Sequence, residues 1–259
     1  MTAVFAPPVP DLERRFSGLR RLYGDAAYAR LRSARVAVVG LGGVGSWAVE
    51  ALARSGVAEL TLIDLDHIAE SNINRQVQAV GATLGQAKVL ALRERIADIH
   101  PGCAVHTIEE FADAQNWPAL LTQPVDVWVD ACDQLRAKEA VAVAALKSGT
   151  RLVISGAAGG KRQAHAVHVD DLARVTHDPL LAALRQRLRK FHGAVREGPM
   201  GVRCVYSRES VLRPAGAQPD AGLNCAGYGS SVMVTATFGM VAANLALESL
   251  LDPPGPAGE

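Results

Sequence analysis

The chain has 259 residues, enough for one large α/β domain that buries about three quarters of its unfolded surface and so needs no disulfide or metal staple. Its composition, 49% hydrophobic and 20% charged with only 5% aromatics, is that of a soluble globular enzyme whose core of Ala, Val, Leu and Gly suits helices packed on a parallel sheet. A net charge of +1 leaves any basic surface for nucleic acid to be a local one. The cysteines (Cys103, Cys132, Cys204 and Cys225) are far apart and form no CxxC, which argues against a structural zinc site and a disulfide framework and fits a reducing cytoplasm.

Residues 1–10 lack a basic leader region and are interrupted by Pro7, Pro8 and Pro10, so no signal peptide is expected. This segment and the Pro/Gly-rich 252–259 are expected to be disordered tails around a single domain spanning 11–251. Residues 11–34 read as a helical lead-in, with Leu12, Phe16, Leu19, Leu22 and Leu31 forming an apolar stripe. A βαβ unit follows: a strand over 35–39, a glycine turn over 40–45, a helix over 46–55 and a strand over 59–63. Further along, a helix is predicted over 86–99, strands over 104–108 and 125–130, a helix over 135–147 and a strand over 151–155. This alternation predicts a Rossmann-like, doubly wound, mostly parallel sheet.

After Gly160 the pattern changes. Residues 164–169 alternate as an antiparallel strand, 179–191 form a basic amphipathic helix, and 202–207 form another strand. The nucleotide-binding part is therefore placed at about 35–160, and an antiparallel and helical elaboration at about 161–251. Residues 221–247 carry no charge, and hydropathy alone nominates the stretch as a membrane span. Ser230, Ser231, Thr235, Thr237 and Asn244 dilute it and Gly229 and Gly239 punctuate it, which favours a buried core element. Peripheral or single-pass inner-membrane association through 229–247 is the competing reading.

The run Gly40-Leu-Gly42-Gly43-Val-Gly45 follows a strand and opens a helix, the place where backbone N–H groups meet phosphate. NAD and FAD enzymes use the same turn, so it does not choose between cofactors. Asp64, at the end of the second strand, is positioned to accept hydrogen bonds from a ribose, whereas Asp66 reads as a turn or helix-cap residue. The segment Ser71-Asn72-Ile73-Asn74-Arg75-Gln76 and Lys88 bring fixed cations and amides to the pocket. Hydride transfer does not need them, but nucleotidyl transfer does, because charge builds on phosphoryl oxygens and leaving pyrophosphate. Asp130 and Asp133 end the fourth predicted strand and place carboxylates over the same crevice, where Asp133 would hold a magnesium ion bridging the phosphates.

The runs GLGGVGSWAVEALARSG, LIDLDHIAESNINRQ, GQAKV and VDACD resemble the adenylating superfamily of ubiquitin-activating enzymes and their sulfur-transfer relatives in thiamine and molybdopterin synthesis. The resemblance implies that Asp64 binds the adenosine ribose, that Asn72, Arg75, Gln76 and Lys88 contact the phosphates of ATP, and that Asp133 binds Mg2+. It also implies a homodimer, in which Arg21 on the N-terminal helix reaches the partner's ATP site, although the spacing around RRLYG departs from the sulfur-transfer members. Further segments, RRFSGLRRLYG, SGAAGG, DLARVTHDPLLAALRQRLRKFHG, VRCVYSRE and MVTATFGMVAA, resemble the branch that dehydrates threonylcarbamoyladenosine in tRNA, over about residues 14–248.

That branch implies adenylation of the threonyl carboxylate followed by ring closure, a tRNA partner, and room for a sulfur-transfer protein as a further partner. Arg185, Arg187, Arg189 and Lys190, with Lys161 and Arg162, are the candidates for phosphate contacts. The same residues also read as the solvated face of a helix whose Leu181, Leu184 and Leu188 pack inward. Cys225, in a glycine-rich uncharged loop, is the thiol to examine for function; Cys204 and Cys132 read as packing residues. The alternatives carried forward are adenylation of the C-terminal glycine of a ubiquitin-like sulfur carrier and an NAD-dependent oxidoreductase.

Overall fold

The computed structural model describes residues 9–212 and 228–251. The predicted terminal tails, apart from Val9 and Pro10, and Cys225 lie outside the described residues. Strands β1 (Arg35–Val39), β2 (Glu59–Ile63), β3 (Ala104–Ile108), β4 (Val127–Asp130), β5 (Arg151–Ser155), β6 (Val167–Asp171) and β7 (Arg203–Ser207) make one sheet of order β3-β2-β1-β4-β5-β7-β6. All neighbours pair in parallel except β6, which runs antiparallel to β7. The predicted mostly parallel, doubly wound sheet is thus the observed one. β1, β2 and β4 are buried along nearly their whole length, which is why they read as unbroken apolar runs.

Helices cover both faces. α3 (Gly45–Arg54), α4 (Lys88–Ile99) and α7 (Val232–Leu251) share one core with Val36, Val38, Leu60, Leu62, Val127 and Val129. α5 (Leu135–Ser148) and α6 (Pro179–Phe191) share the other with Ala37, Val39, Trp128, Leu152 and Ile154. The alternation of strand residues between these two sets is the period-two geometry of the pleat. Asp178 caps α6 by accepting from the Leu181 N–H at 3.0 Å, and Pro179 supplies the pre-set first helical residue.

Several boundaries differ from expectation. The lead-in is two helices, α1 (Leu12–Tyr23) and α2 (Asp25–Leu31), broken at Gly24 with φ +82°. The break turns the expected stripe, so Phe16 and Leu31 are buried while Leu22 is 70% exposed. The strand expected over 164–169 begins only at Val167, after a single 3-10 turn, Ala164–Ala166. α4 starts at Lys88 because the backbone at Gln86 still accepts from Ile68 in the preceding loop.

The uncharged C-terminal stretch is one continuous helix, α7, long and apolar enough to cross a bilayer by composition. Within the fold its Val234, Phe238, Ala242, Ala243, Leu245 and Ala246 are buried in the core. Gly239 does not interrupt it. A Cβ there would sit 2.4 Å from the Val44 carbonyl oxygen and 2.7 Å from the Trp47 Cβ, so glycine is what allows α7 to lie directly against α3.

Candidate active site

In the sheet register Val39 stands beside Ile63 on one side and Asp130 on the other, so the chain leaves β1, β2 and β4 at one level. The three exits open a cavity of about 290 Å³ at the carboxyl edge of the sheet, where β1 separates the two halves of the strand order. Gly40, Gly42, Gly43, Asp64, Asn72, Arg75, Gln76, Lys88 and Asp133 all line it. Nine of the predicted residues therefore meet in one place.

The glycine turn is built for close approach. Gly40 has φ +82°, and a Cβ there would lie 2.7 Å from the Cys132 backbone; Gly42 is open, with nothing within 4 Å of its would-be Cβ. Helix α3 begins immediately afterwards with no side-chain cap; the Ser46 N–H donates to the Gly42 carbonyl at 3.1 Å, and no capping side chain stands between the rest of this turn and an anion. Gly45 does not line the cavity. Its Cβ would overlap the Gly40 carbonyl oxygen, so its part is to seat α3 against the turn.

Asp64 is 9% exposed and braces the turn: its Oδ2 accepts from the Leu41 N–H at 2.6 Å and its Oδ1 from the Asp66 N–H at 2.8 Å. Burial pushes its carboxyl above the ordinary range, opposed by the nearby Lys88 charge and by these two N–H groups. Lys88 is itself buried and held between two carboxylates, with Nζ 2.6 Å from Asp66 Oδ2 and 3.7 Å from Asp64 Oδ1. Asp66, expected as a cap or turn residue, is therefore the ion-pair partner that aims Lys88; its backbone carbonyl also accepts from the Lys88 N–H.

Arg75 reaches the cavity with Nη1 bonded to the Ser71 carbonyl at 2.6 Å and to Asn74 Oδ1 at 3.0 Å. Its own carbonyl accepts from the Trp47 indole at 3.0 Å, which ties the loop to α3. Asn72 Oδ1 accepts from the Ala69 N–H at 3.1 Å, and Gln76 Oε1 accepts from the buried Gln78 amide at 3.2 Å. The 70–78 loop is thus held by hydrogen bonds from within the chain.

At the end of β4 the two aspartates part. Asp133 is exposed and faces the cavity. Asp130, expected to face it too, is fully buried: its Oδ1 accepts from the Cys132 N–H at 3.0 Å and Sγ at 2.9 Å, while Oδ2 lies 3.3 Å from Lys138 Nζ, off hydrogen-bond alignment. Lys138 is also fully buried. Burial alone would lower its pKa, but the Asp130 carboxylate outweighs this and holds the ammonium above its ordinary value. Burial, then the Asp130 charge, pushes the Cys132 thiol well above its usual range. The sequence did carry a signal for Lys138: it falls on the apolar face of α5, one turn before Val141 and Ala142.

Lys161 and Arg187 are corrected from their expected place on a phosphate-binding surface. Lys161 is 2% exposed and donates to the Ser207 and Glu209 carbonyls at 3.0 and 2.9 Å, and burial lowers its pKa. Arg187 pairs with Glu139 at 2.6 Å. Arg21 stands outside the cavity on exposed α1, where Nη1 donates to Ser17 Oγ at 3.4 Å. Cys204 is a fully buried strand residue, as expected.

The cavity extends past the glycine turn to a wall to which the sequence reading assigned no site role: Gly156, Ala157, Ala158 and Gly159 after β5, Leu180 at the start of α6, and Tyr228. Ala157 donates to Asp178 Oδ2 at 2.9 Å, and Gly160 exchanges backbone bonds with Leu212 and Gly229.

A model of the ThiF family matches residues 14–258. The chain belongs to the ThiF family. This ThiF-family chain is 38% identical over 249 residues to a tRNA threonylcarbamoyladenosine dehydratase of Haemophilus influenzae, covering 94% of this chain and 95% of that one. It is 39% identical over 251 residues to the Escherichia coli protein of the same description, covering 92% and 94%. The solved structure of the Escherichia coli tRNA N6-threonylcarbamoyladenosine dehydratase TcdA in complex with ATP matches with a TM-score of 0.85 and 39% identity, over 92% of this chain and 94% of that one. Similarity to a molybdopterin-synthase adenylyltransferase of Escherichia coli, 35% over 128 residues, covers only 49% of this ThiF-family chain.

Proposed function

We propose that this chain is an ATP-dependent tRNA threonylcarbamoyladenosine dehydratase. The observation that carries this reading is the convergence of the glycine turn, Arg75, Lys88 and Asp133 on one cavity, in a chain similar end to end to a dehydratase solved with ATP.

In the proposed reaction a threonyl carboxylate oxygen attacks the α-phosphorus of ATP; the bond from that phosphorus to the bridging oxygen breaks, and pyrophosphate leaves. The carbamoyl group of the same nucleotide then attacks the acyl carbonyl, loses a proton and expels AMP. The oxygen lost from the nucleotide departs on AMP, so the net change is removal of one water. No covalent bond to the protein is needed.

The glycine turn and the side-chain-uncapped start of α3 would take phosphate oxygens, and Arg75 and Lys88 would stabilise charge building there in the transition state. Asp64 braces the turn, and its site at the end of β2 suits a ribose contact. For Mg2+, Asp133 is the proposed ligand. Among the described residues no cluster of three His, Cys, Asp or Glu side chains gathers there, and a single carboxylate fits an ion whose remaining ligands are phosphate oxygens and water. Bound there, the ion would neutralise phosphate charge.

The same reading makes the enzyme a ligase-type, acyl-adenylate-forming protein acting in the cytoplasm as a homodimer, with Arg21 completing the site of a second copy, and leaves a sulfur-transfer protein as a further partner. Incubation with ATP, magnesium and tRNA bearing threonylcarbamoyladenosine should yield a nucleoside lighter by one water on mass analysis. Pyrophosphate exchange stimulated by a small Gly-Gly-ending protein, with no change in the tRNA, would overturn it in favour of sulfur-carrier adenylation.

A further inference from the structure

Helix α6 joins the cavity to a second surface. Its first residues, Pro179 and Leu180, line the cavity. Further along, Ala182, Arg185, Gln186 and Arg189, spaced as one helical face, line a surface concavity together with Lys190 and Arg196. Arg189 lies ten residues beyond Pro179 on the same helix, about 15 Å along its axis.

The concavity collects four cationic side chains and no acidic one. Arg189 organises it: Nε and Nη2 donate to the Val195 and Arg196 carbonyls, both at 3.1 Å, folding the chain after α6 back so that Arg196 joins the helix face. Arg185 donates to the Leu172 and Val175 carbonyls at 2.9 and 2.8 Å, which fixes the guanidinium without neutralising it. Among the described residues none of the four forms an ion pair, in contrast to Arg187 on the neighbouring face, which Glu139 neutralises. Positioned cations in a concave surface, with only Ala182 as an apolar lining residue, suit phosphodiester groups. A bilayer surface would call for apolar side chains to insert; the concavity itself offers only Ala182, and the exposed Phe191 and Val195 are not among its lining residues.

We infer that this concavity grips backbone phosphates of the tRNA a few nucleotides from the one that enters the cavity, with α6 as the ruler between the two. The inference rests on the dehydratase reading above, which supplies the RNA. It replaces the broader basic surface expected from the sequence: Lys161, Arg162 and Arg187 drop out, and Arg196, which the helix pattern did not include, is added.

The test uses the full chain with Lys190→Glu and Arg196→Glu together; both residues are exposed, and among the described residues neither side chain makes a hydrogen bond or an ion pair, Lys190 touching only the exposed Phe191 ring. Affinity for tRNA is read by fluorescence anisotropy across a salt series, beside ATP affinity and thermal melting. The expected result is tRNA binding weakened about tenfold or more at physiological salt, with the slope of log K against log salt reduced by about two. ATP affinity and melting temperature stay unchanged. Unaltered tRNA affinity and slope in a variant that still binds ATP would overturn the phosphate inference and leave the dehydratase reading standing. Salt-sensitive tRNA binding that depends on Lys190 and Arg196, in a wild-type protein that never dehydrates the nucleoside, would support the inference and sink the dehydratase reading. Binding to phosphatidylglycerol vesicles that needs these residues, with tRNA binding that does not, would also overturn the inference.

Discussion

The Asp130–Lys138 pair gives a prediction whose size follows from the structure. Both side chains are fully buried, and their charges stand 3.3 Å apart. With an effective dielectric constant of about 20, Coulomb attraction at that distance is roughly 5 kcal/mol. Lys138→Met keeps the length of the side chain and removes its charge, leaving the Asp130 carboxylate alone in the core, which costs about 3–5 kcal/mol. At about 2–4 °C per kcal/mol for a chain of this size, the melting temperature should fall by roughly 6–20 °C. Adding Asp130→Asn should recover most of the loss, because the buried charge is gone while the amide oxygen still accepts from the Cys132 N–H. Urea unfolding of the two single variants and the double variant gives the coupling energy as a double-mutant cycle. A Lys138→Met protein within about 1 kcal/mol of wild type, or a double variant no more stable than the weaker single, would refute the reasoning.

Lys88→Ala and Asp133→Ala should each lower dehydration by at least about a hundredfold through lost phosphate stabilisation, with Asp133→Ala melting normally because the residue is exposed; nucleoside mass analysis reads the loss, and turnover by both variants would remove them from the chemistry. Two glycine substitutions should fail differently. Gly40→Ala, at φ +82° and against the Cys132 backbone, should lose stability in a melt, whereas Gly42→Ala should fold normally and lose ATP affinity in calorimetry, since its methyl meets nothing in the protein. His100 should make the fold acid-sensitive: burial and the Arg32 guanidinium, which donates to Nε2 at 2.7 Å, lower its pKa from 6.5 to about 4. Its folded pKa lies below the unfolded one, so unfolded chains bind the extra proton and stability falls as pH drops from 6.5 to 4, by about 3 kcal/mol in all. Denaturant midpoints across that window should flatten in His100→Gln.

The sequence reading succeeded where one local signal controlled the outcome. β1, β2, β3, β5 and α6 carry the predicted boundaries: apolar runs mark β1, β2 and β5, the Pro101-Gly102 turn sets off the edge strand β3, and Asp178 and Pro179 mark the start of α6. β6 was misplaced because it is a half-exposed edge strand with polar residues, so no apolar run marks its start. The cavity was legible because its residues follow strand ends, which a parallel sheet brings to one edge. Side-chain direction was not. Lys138, on the helix that directly follows, takes Asp130 rather than Asp133, a choice that only the packing of α5 makes visible; Lys161 is taken by the Ser207 and Glu209 carbonyls, which arrive from a distant part of the chain. Arg187 needed Glu139, 48 residues away, to lose its charge to a partner.

The contact of Gly239 with the Val44 carbonyl and Trp47 makes the most lipid-like segment of the chain the rear support of the glycine turn. An α7 withdrawn into a bilayer would leave α3, and the glycine turn that leads into it, without backing. Membrane insertion of this helix and nucleotide binding at the glycine turn would therefore exclude one another, and ATP is expected to resist any treatment that pulls α7 from its seat.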